Sequence, residues 1–249
     1  MFRHGVSYDD VLLVPKYSDI KSRAEIDLST DLGNDLKLSL PIFSSPMDTI
    51  SEHEMCIAMD SYGGSGIIHR YNSIEEQSKL ISKAAENINN NVGAAIGITG
   101  DYLERASEAY NQGANFICVD VAHGHHSSMK IALRRLRGML GTDYHIMAGN
   151  VATPDGFLAL EAAGADSIRV GIGGGSICST RIQTGHGIPT FQSVLECAQS
   201  GGDALLIADG GIKNSGDMVK ALAAGADAVM VGRMLSGTTE SPGELIHDP

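Results

Sequence analysis

One cysteine lies in a loop whose composition favours a reactive thiol. Cys178 belongs to the run Gly173-Gly174-Gly175-Ser176-Ile177-Cys178-Ser179-Thr180-Arg181. Glycines let backbone amides approach an anion closely, and Ser176 adds a hydroxyl donor. The same amides, with Arg181 nearby, would stabilise the thiolate, which is the nucleophilic form of cysteine. Because a polar loop offers no core for a small hydrophobic residue to fill, the run predicts a catalytic nucleophile beside a phosphate-binding loop.

The other cysteines and the histidines indicate no second chemistry. Cys56, Cys118 and Cys197 lie within helix or strand patterns, where cysteine acts as a small hydrophobic residue. Their spacing is not that of a zinc finger, and free thiols are expected in a domain of this size without a secretion signal. The run His123-Gly124-His125-His126 has the residue type for zinc. A zinc site needs three or four ligands at fixed geometry, however, and this loop shows no partner set.

Acidic residues and further glycines follow other predicted strands. Asp120 ends an apolar run and is either an N-cap for the next helix or a ligand to a ribose hydroxyl pair. Asp209 has the same two interpretations, and the Gly210-Gly211 pair after it favours the ligand role. Two glycine-rich loops and a further glycine at 232 predict phosphate binding. Arg169 lies within a predicted strand, where its charge needs a partner, so we expect a salt bridge near the site.

Eight short apolar runs supply the strands that would position these residues. The predicted strands are Leu40–Ser44, Gly66–His69, Val92–Ile98, Phe116–Val121, His145–Ala148, Ser167–Gly171, Ala204–Ala208 and Ala228–Gly232. Their near-continuous hydrophobicity is typical of parallel strands covered on both faces. Amphipathic stretches lie between them and end in glycine, as in the Ala-Gly-Ala-Asp repeats at 163–166 and 224–227. The alternation predicts an α/β fold of the (β/α)8 TIM-barrel type, with an open doubly wound sheet as the alternative.

The chain is predicted to form a single domain over residues 1–249, with an N-terminal arm at 1–39 and the barrel at 40–249. After the eighth predicted strand, the segment 233–249 contains Pro242, Gly243 and Pro249. An ordinary eighth helix is not expected there, because proline and glycine break helices. We therefore expect a barrel that is truncated at its C-terminus.

Composition excludes several functional classes. The 249 residues carry a net charge of −12, which argues against nonspecific binding to nucleic acid or anionic membranes. Hydrophobic residues make up 43% of the chain, enough for a sizeable core, and no apolar run is long enough to span a membrane. The N-terminus lacks a signal-peptide pattern. A soluble, cytoplasmic protein is expected.

The glycine loop and several other motifs resemble those of the IMP dehydrogenase / GMP reductase family. Residues 171–181, Gly-Ile-Gly-Gly-Gly-Ser-Ile-Cys-Ser-Thr-Arg, resemble the catalytic loop of that family. Similar motifs follow the order found in the family: Tyr-Asp-Asp-Val-Leu-Leu-Val-Pro at 8–15, Ser-Ser-Pro-Met-Asp-Thr at 44–49, Ala-Gly-Asn-Val at 148–151, Ile-Ala-Asp-Gly-Gly-Ile at 207–212 and Glu-Ser-Pro-Gly-Glu at 240–244. The resemblance covers essentially the whole chain. It implies a (β/α)8 barrel, usually a homotetramer, that binds a purine nucleoside monophosphate and NAD or NADP.

The resemblance also implies a role for individual residues. Cys178 would attack C2 of the purine, with Thr180 assisting at the same carbon. The nucleotide would be held by Ser45, Met47, Gly175, Ser176, Asp209, Gly211, Gly232 and Arg233. The cofactor would lie against Asp120, Asn150, Gly171 and Gly173. The carbonyl groups of Gly173, Gly175 and Cys178 resemble part of a potassium site.

Two activities of the family are compatible with the motifs. The histidine run, the aspartate–glycine motif and the motif at 240–244 resemble the dehydrogenase, which converts IMP to XMP in GMP biosynthesis. The segment 21–23 and the continuous passage from His69 to Val92 resemble the reductase, which converts GMP to IMP and ammonia. That passage leaves no room for the regulatory nucleotide-sensing insert of most dehydrogenases. The motifs favour an IMP dehydrogenase without the insert.

The resemblance has three departures. Gly174 stands where the family's loop commonly has proline, which should make the loop more mobile. Arg233 stands where the family usually has serine or glycine, so it either adds a charge-assisted contact to the phosphate or reshapes the pocket. The sequence ends before the mobile flap and final helix of the family, which carry groups that finish the reaction. A third hypothesis is therefore an incomplete nucleotide-binding subunit without turnover.

Overall fold

Eight parallel strands form a closed barrel in the computed structural model, which describes residues 4–88, 91–175 and 178–243. A short hairpin, β1 (Thr30–Asp31) and β2 (Lys37–Leu38), precedes them. The barrel strands are β3 (Ile42–Ser44), β4 (Gly66–Ile68), β5 (Val92–Ile96), β6 (Phe116–Asp120), β7 (His145–Val151), β8 (Ser167–Val170), β9 (Leu205–Asp209) and β10 (Ala228–Val231). From β4 to β10 each strand pairs with its neighbour in sequence, β10 also pairs with β3, and an isolated bridge from Phe43 to Ser65 closes the ring between β3 and the residue before β4. All eight strand predictions are confirmed, and this closed sequential order excludes the open doubly wound sheet.

Helices cover the outside of the barrel. They are α1 (His53–Ser61), α2 (Ile74–Ala85), α3 (Tyr102–Asn111), α4 (Ser127–Leu140), α5 (Pro154–Glu161), α6 (Thr180–Thr184), α7 (Thr190–Ala198) and α8 (Ser215–Ala223). Their N-termini follow local capping chemistry. Thr153 accepts the Gly156 amide at the start of α5, which has proline in its first turn, and Asn214 accepts the Asp217 amide at the start of α8.

An Asn or Asp side chain fixes the start of three strands. In each case a glycine and an alanine end the preceding helix, and the next residue accepts a backbone amide of the neighbouring strand through its side chain. The pairs are Asn115 with Val92 at 3.0 Å, Asp166 with Ile146 at 2.7 Å and Asp227 with Leu206 at 2.7 Å. We call this arrangement the Gly-Ala-Asx lock. Because each lock joins the beginnings of two adjacent strands, it fixes their register.

The barrel interior is filled and closed from below. Buried side chains from several strands meet inside it, and Phe43 packs edge-on against Phe116 with ring centroids 5.8 Å apart. Leu32, Leu36 and Leu38 of the hairpin region belong to the same buried cluster. The amino ends of the strands are therefore covered, which leaves the carboxyl ends as the open face of the barrel.

Two connections bear on the sequence predictions. Between β4 and β5 the chain contains a loop and α2, so the passage from His69 to Val92 is an ordinary βα unit. After β10, residues 233–243 form turns. In the part of the chain that the structure describes, no helix is both long and apolar enough to cross a bilayer.

Candidate active site

A cavity of about 460 Å³ opens at the carboxyl ends of the barrel strands. Its volume lies within the range of pockets that hold small organic ligands. The wall contains eight of the residues predicted for the site: Ser45, Met47, Gly173, Gly175, Asp209, Gly211, Gly232 and Arg233. The predicted residues Cys178, Thr180, Asp120, Asn150 and Gly171 lie outside the lining of this cavity, and Ser176 lies outside the described residues. The sequence predictions thus converge on one end of the barrel.

Glycine allows the loops after β8 and β9 to pack against each other. A Cβ on Gly174 would lie 1.9 Å from Thr190 Oγ1, and one on Gly171 would lie 1.8 Å from the Asp209 carbonyl oxygen. Gly210 and Gly211 both adopt the left-handed conformation, with φ of +94° and +80°. Bare backbone therefore faces the cavity, as a phosphate cradle requires. Packing explains the glycine at 171, and its contact with a cofactor stays a prediction.

The Cys178 thiol lies beside this wall in a setting that favours ionisation. Its backbone amide donates to the Gly175 carbonyl at 3.2 Å, and the residue is partly exposed. Partial burial alone would raise its pKa, but the opposing effects are stronger. Hydrogen bonds from the Thr180 hydroxyl and amide and from the Gly173 amide, together with the charge of Arg181, hold the pKa of Cys178 below its ordinary value. A larger fraction of this thiol is therefore ionised at neutral pH than of an ordinary cysteine.

The Asp209 carboxylate, at the end of β9, is held by three donors on one oxygen. Arg169 Nη2 and Nε donate to Asp209 Oδ2 at 2.8 and 3.2 Å, and Asn150 Nδ2 donates to the same oxygen at 2.7 Å. Asn150 also donates to the Gly171 carbonyl at 2.9 Å. The second carboxylate oxygen, Oδ1, has no hydrogen bond to the described residues, so it can accept a ligand hydroxyl. The salt bridge predicted for Arg169 is confirmed.

Asp120, at the end of β6, is the second carboxylate on Arg169. Arg169 Nη1 donates to Asp120 Oδ1 at 2.6 Å, while Arg70 Nε lies 3.7 Å from Oδ2. Arg70 Nη2 also donates to the Asp120 carbonyl at 3.1 Å. Because its side chain is 16% exposed and points to arginines, Asp120 is not an N-cap in the described structure. His126 caps the next helix, α4, instead.

Two cations line the cavity. Arg233 follows Gly232 at the end of β10, and Lys213 follows the β9 loop. Both Lys213–Asp9 contacts are short, with Nζ donating to the two carboxylate oxygens at 2.8 and 2.6 Å, and they raise the pKa of Lys213. The Arg233 charge acts on the pKa of Lys213 in the opposite direction, and both cations line the same cavity. This end of the cavity is suited to an anionic group.

The sequence predictions missed the contribution of the N-terminal arm to the wall. Ser7, Tyr8 and Asp9 line the cavity. Tyr8 is 3% exposed, its ring packs edge-on against Phe191 at 5.8 Å, and its carbonyl accepts Lys220 Nζ at 2.8 Å. The family motif at 8–15 was the only signal in the sequence for this segment, because nothing local predicts a contact with α7 and α8 so far along the chain.

The histidine run does not form a metal site with its neighbours. His123 and His125 are exposed, with ring centroids 6.5 Å apart. Among the described residues, no group of three or more His, Cys, Asp or Glu side chains could hold a metal ion. His126 instead accepts the Ser128 amide at 3.1 Å as the N-cap of α4.

Comparison with known proteins yields consistent matches over the whole described barrel. The family model of the IMP dehydrogenase / GMP reductase domain matches residues 5–248. An inosine-5'-monophosphate dehydrogenase of Nitrosopumilus maritimus is 33% identical over 370 aligned positions, covering 98% of this chain and 78% of the relative. A GMP reductase of Vibrio atlanticus is 34% identical over 251 positions, covering 97% of this chain and 72% of the relative.

A solved structure agrees with the sequence matches. Inosine 5' monophosphate dehydrogenase from Legionella pneumophila superposes with a TM-score of 0.91 at 45% identity. The superposition covers 98% of this chain and 74% of that one.

Proposed function

Since the chain belongs to the IMP dehydrogenase / GMP reductase family, we propose that it oxidises IMP to XMP with NAD as the hydride acceptor. One observation carries the proposal to the residue level. The activated thiol of Cys178 stands beside a cavity whose wall combines two glycine loops with the Asp209 carboxylate. Nucleophile, anion cradle and hydroxyl acceptor are the three functions that covalent chemistry on a nucleotide requires.

Different residues of the cavity wall would bind the phosphate, the ribose and the base of the nucleotide. The amides of Gly175 and Gly211 and the cation of Arg233 would hold the phosphate, as would Ser176. Asp209 Oδ1 would accept the ribose hydroxyls. The base would lie between Ser45 and Met47, whose side chains already contact the bare backbone of Gly232; a Cβ there would lie 3.3 Å from Ser45 Oγ and from Met47 Sδ.

The residues on the β6 side fit a cofactor that carries ribose hydroxyls. Asp120 forms an ion pair with Arg169 at 2.6 Å, and its carboxylate is partly exposed, so it can accept hydrogen bonds from such hydroxyls. Asn150, Gly171 and Gly173 stay predictions for this site. A nicotinamide cofactor bound there would supply the hydride acceptor for C2 of the purine.

The chain's own residues would perform the remaining steps. The Cys178 thiolate forms a bond to C2 of IMP, and loss of hydride from that carbon leaves a covalent thioimidate. Water then adds to C2, the C2–sulfur bond breaks, and XMP and the free thiol are released. The donors that lower the pKa of Cys178 serve both halves, because they supply the thiolate for attack and stabilise it as a leaving group. Thr180 is one of the groups that lower the pKa of Cys178, and from there it would assist the reaction at C2.

Three further features belong to the proposal. The carbonyls of Gly173, Gly175 and Cys178 would bind potassium, and the Gly175 carbonyl keeps one lone pair beside its bond to the Cys178 amide. A homotetramer is supported by the exposed apolar side chains of the arm, including Leu12, Val14 and Tyr17 at 86%, 81% and 94% exposure. A cytoplasmic location is supported by four free cysteines.

The second candidate is a GMP reductase, which would use NADPH and release ammonia. The match to the Vibrio atlanticus reductase favours it, since its 251 aligned positions cover nearly all of the chain without a long insertion. The uninterrupted βα unit between β4 and β5 is compatible with it.

Parallel assays separate the two activities. The chain is incubated with IMP and NAD, and separately with GMP and NADPH, while the absorbance of reduced cofactor is followed. A rise in the first mixture supports the dehydrogenase, and a fall in the second supports the reductase. Mass spectrometry of the IMP mixture should show an adduct on Cys178 that Cys178→Ala abolishes. An adduct without turnover would identify a nucleotide-binding subunit, and neither adduct nor turnover would reject both activities.

A further inference from the structure

One buried guanidinium connects the two carboxylates of the site. Arg169 projects from β8 with 7% of its side chain exposed. Its Nη1 binds Asp120 on β6, and its Nη2 and Nε bind Asp209 on β9. Each carboxylate gives one oxygen to Arg169. The interaction therefore spans the mouth of the barrel from the proposed cofactor side to the proposed nucleotide side.

The contacts of Arg169 differ from those of a buried arginine that stabilises the fold. Arg105, with 9% of its side chain exposed, donates to the Asn72 carbonyl as well as to Gln77 and Asp101, and so fixes helix packing. Among the residues that the structure describes, Arg169 bonds only to side chains: the two carboxylates and the Cys118 sulfur at 3.4 Å. Burial would lower the pKa of Arg169, but the two carboxylates raise it well above its usual value, so the group stays charged.

The neighbouring strand makes room for this side chain. Gly149 on β7 pairs with Arg169, and a Cβ on Gly149 would lie 2.5 Å from the Arg169 Cβ. A buried ion pair contributes little net stability, because the desolvation of its charges offsets their attraction. An arrangement that costs desolvation and requires a glycine beside it is better explained by a role at the site.

We propose that Arg169 is a positioning residue that couples nucleotide binding to dinucleotide binding. The inference rests on the proposed function, which places the ribose of the nucleotide on Asp209 and the cofactor on Asp120. One rigid planar cation binds both carboxylates. A ligand that hydrogen-bonds to one carboxylate, or shifts it, therefore changes how strongly the guanidinium binds the other carboxylate. Lysine cannot replace it, because a single ammonium lacks the fork that reaches two strands at once.

Isothermal titration calorimetry on the full chain tests the coupling. In a Cys178→Ala background, which stops chemistry, NAD is titrated into the chain alone and into the chain saturated with IMP. The ratio of the two dissociation constants should be about fivefold or more. Arg169→Lys should bring the ratio close to one while IMP still binds. Arg105 is a buried arginine outside the cavity lining, so Arg105→Lys is the matched control. It should leave the ratio of the two NAD dissociation constants as it is in the Cys178→Ala chain.

The outcomes are distinguishable. An unchanged ratio in Arg169→Lys, or a ratio of one before that substitution, overturns the coupling but leaves the proposed function standing. Failure of the Cys178→Ala chain to bind either ligand overturns the proposed function, and the coupling with it. If Arg169→Lys does not fold by circular dichroism, Asp120→Asn replaces it. That variant should change the affinity for IMP, measured without any dinucleotide, about fivefold; an unchanged affinity overturns the coupling.

Discussion

The contact between Gly174 and Thr190 yields a sharp prediction, because it joins the loop that carries Cys178 to α7 and leaves no space for a side chain. Gly174→Ala would place a Cβ 1.9 Å from Thr190 Oγ1 and 3.2 Å from Thr190 Cβ. Non-bonded carbon and oxygen atoms do not approach so closely, so the loop or the helix must move by about 1 Å or Thr190 must rotate. Overpacking of this kind costs about 1–3 kcal/mol. The melting temperature should fall by about 2–12 °C.

In Gly174→Ala, catalytic activity should be reduced by a large factor even though the folded state is only moderately destabilised. A displacement of about 1 Å in the segment that leads to Cys178 can reduce kcat/KM by about 100-fold. Equilibrium denaturation and steady-state kinetics with IMP and NAD measure the two effects. Gly175→Ala is the matched control for stability: neither glycine has a left-handed φ, and the nearest atom to a Cβ on Gly175 is 3.4 Å away.

A second substitution tests the cause. Thr190 Oγ1 is buried without a hydrogen-bond partner in the described structure, so Thr190→Ala should be neutral or stabilising by itself. In the double variant, removal of Oγ1 should restore part of the stability lost in Gly174→Ala, with a coupling energy of about 0.5–3 kcal/mol. Additive effects, or a Gly174→Ala chain as stable and active as the original, would refute the steric argument.

Three further predictions follow from the titratable groups and the loop carbonyls. Iodoacetamide should alkylate Cys178 before the other cysteines, and the alkylation rate should reach half its maximum at a lower pH than for an ordinary thiol. Burial raises the pKa of Cys118 and of Cys197 to about 12, so labelling of either before Cys178 would contradict a reactive Cys178 thiol. Burial, with a smaller effect of the Arg137 charge, lowers the pKa of His145 to about 4 despite the opposing Asp166 charge, so its contribution to folding is complete above pH 6.5 and lost as the pH falls to about 4. The free energy of unfolding, measured by urea denaturation, should fall by roughly 3 kcal/mol between pH 6.5 and about 4. His145→Gln should remove this fall. Equal pH dependence of the unfolding free energy in the two chains would contradict the prediction. Replacement of potassium by lithium should lower kcat without changing the affinity for IMP, and equal rates in both salts would remove potassium from the proposal.

Much of the fold could be predicted from local sequence, and the exceptions have physical reasons. Parallel strands buried on both faces have a hydrophobic signal that needs no tertiary information. β7 continues to Val151, beyond the predicted end at Ala148, because Gly149 and Asn150 look like a turn while the Asn150 amide still bonds to the Val121 carbonyl. The start of α7 has no capping signal in the sequence, because Pro189 and the nearby glycines at 185 and 187 are typical of a loop.

The individual residues of the candidate site could be predicted from the sequence, but the contacts between them could not. Cys178 and Asp209 stand out because reactive or charged residues next to glycines are rare within apolar patterns. The partners of Arg169 lie 49 and 40 positions away, and no pattern along the chain identifies which carboxylates a buried arginine will reach. The same reason hid Tyr8, whose contacts with α8 are made across 212 positions.

The Gly-Ala-Asx locks have a consequence for the way the barrel folds. Each lock joins residues only 20 to 23 positions apart, so adjacent strands can be aligned by short loop closures soon after collapse. The pairing of β10 with β3 joins opposite ends of the barrel sequence and is entropically the most expensive contact. We therefore expect a folding nucleus among the central βα units, with ring closure after the rate-limiting barrier. Substitutions at a lock should then slow folding, whereas substitutions at the β3–β10 seam should mainly accelerate unfolding.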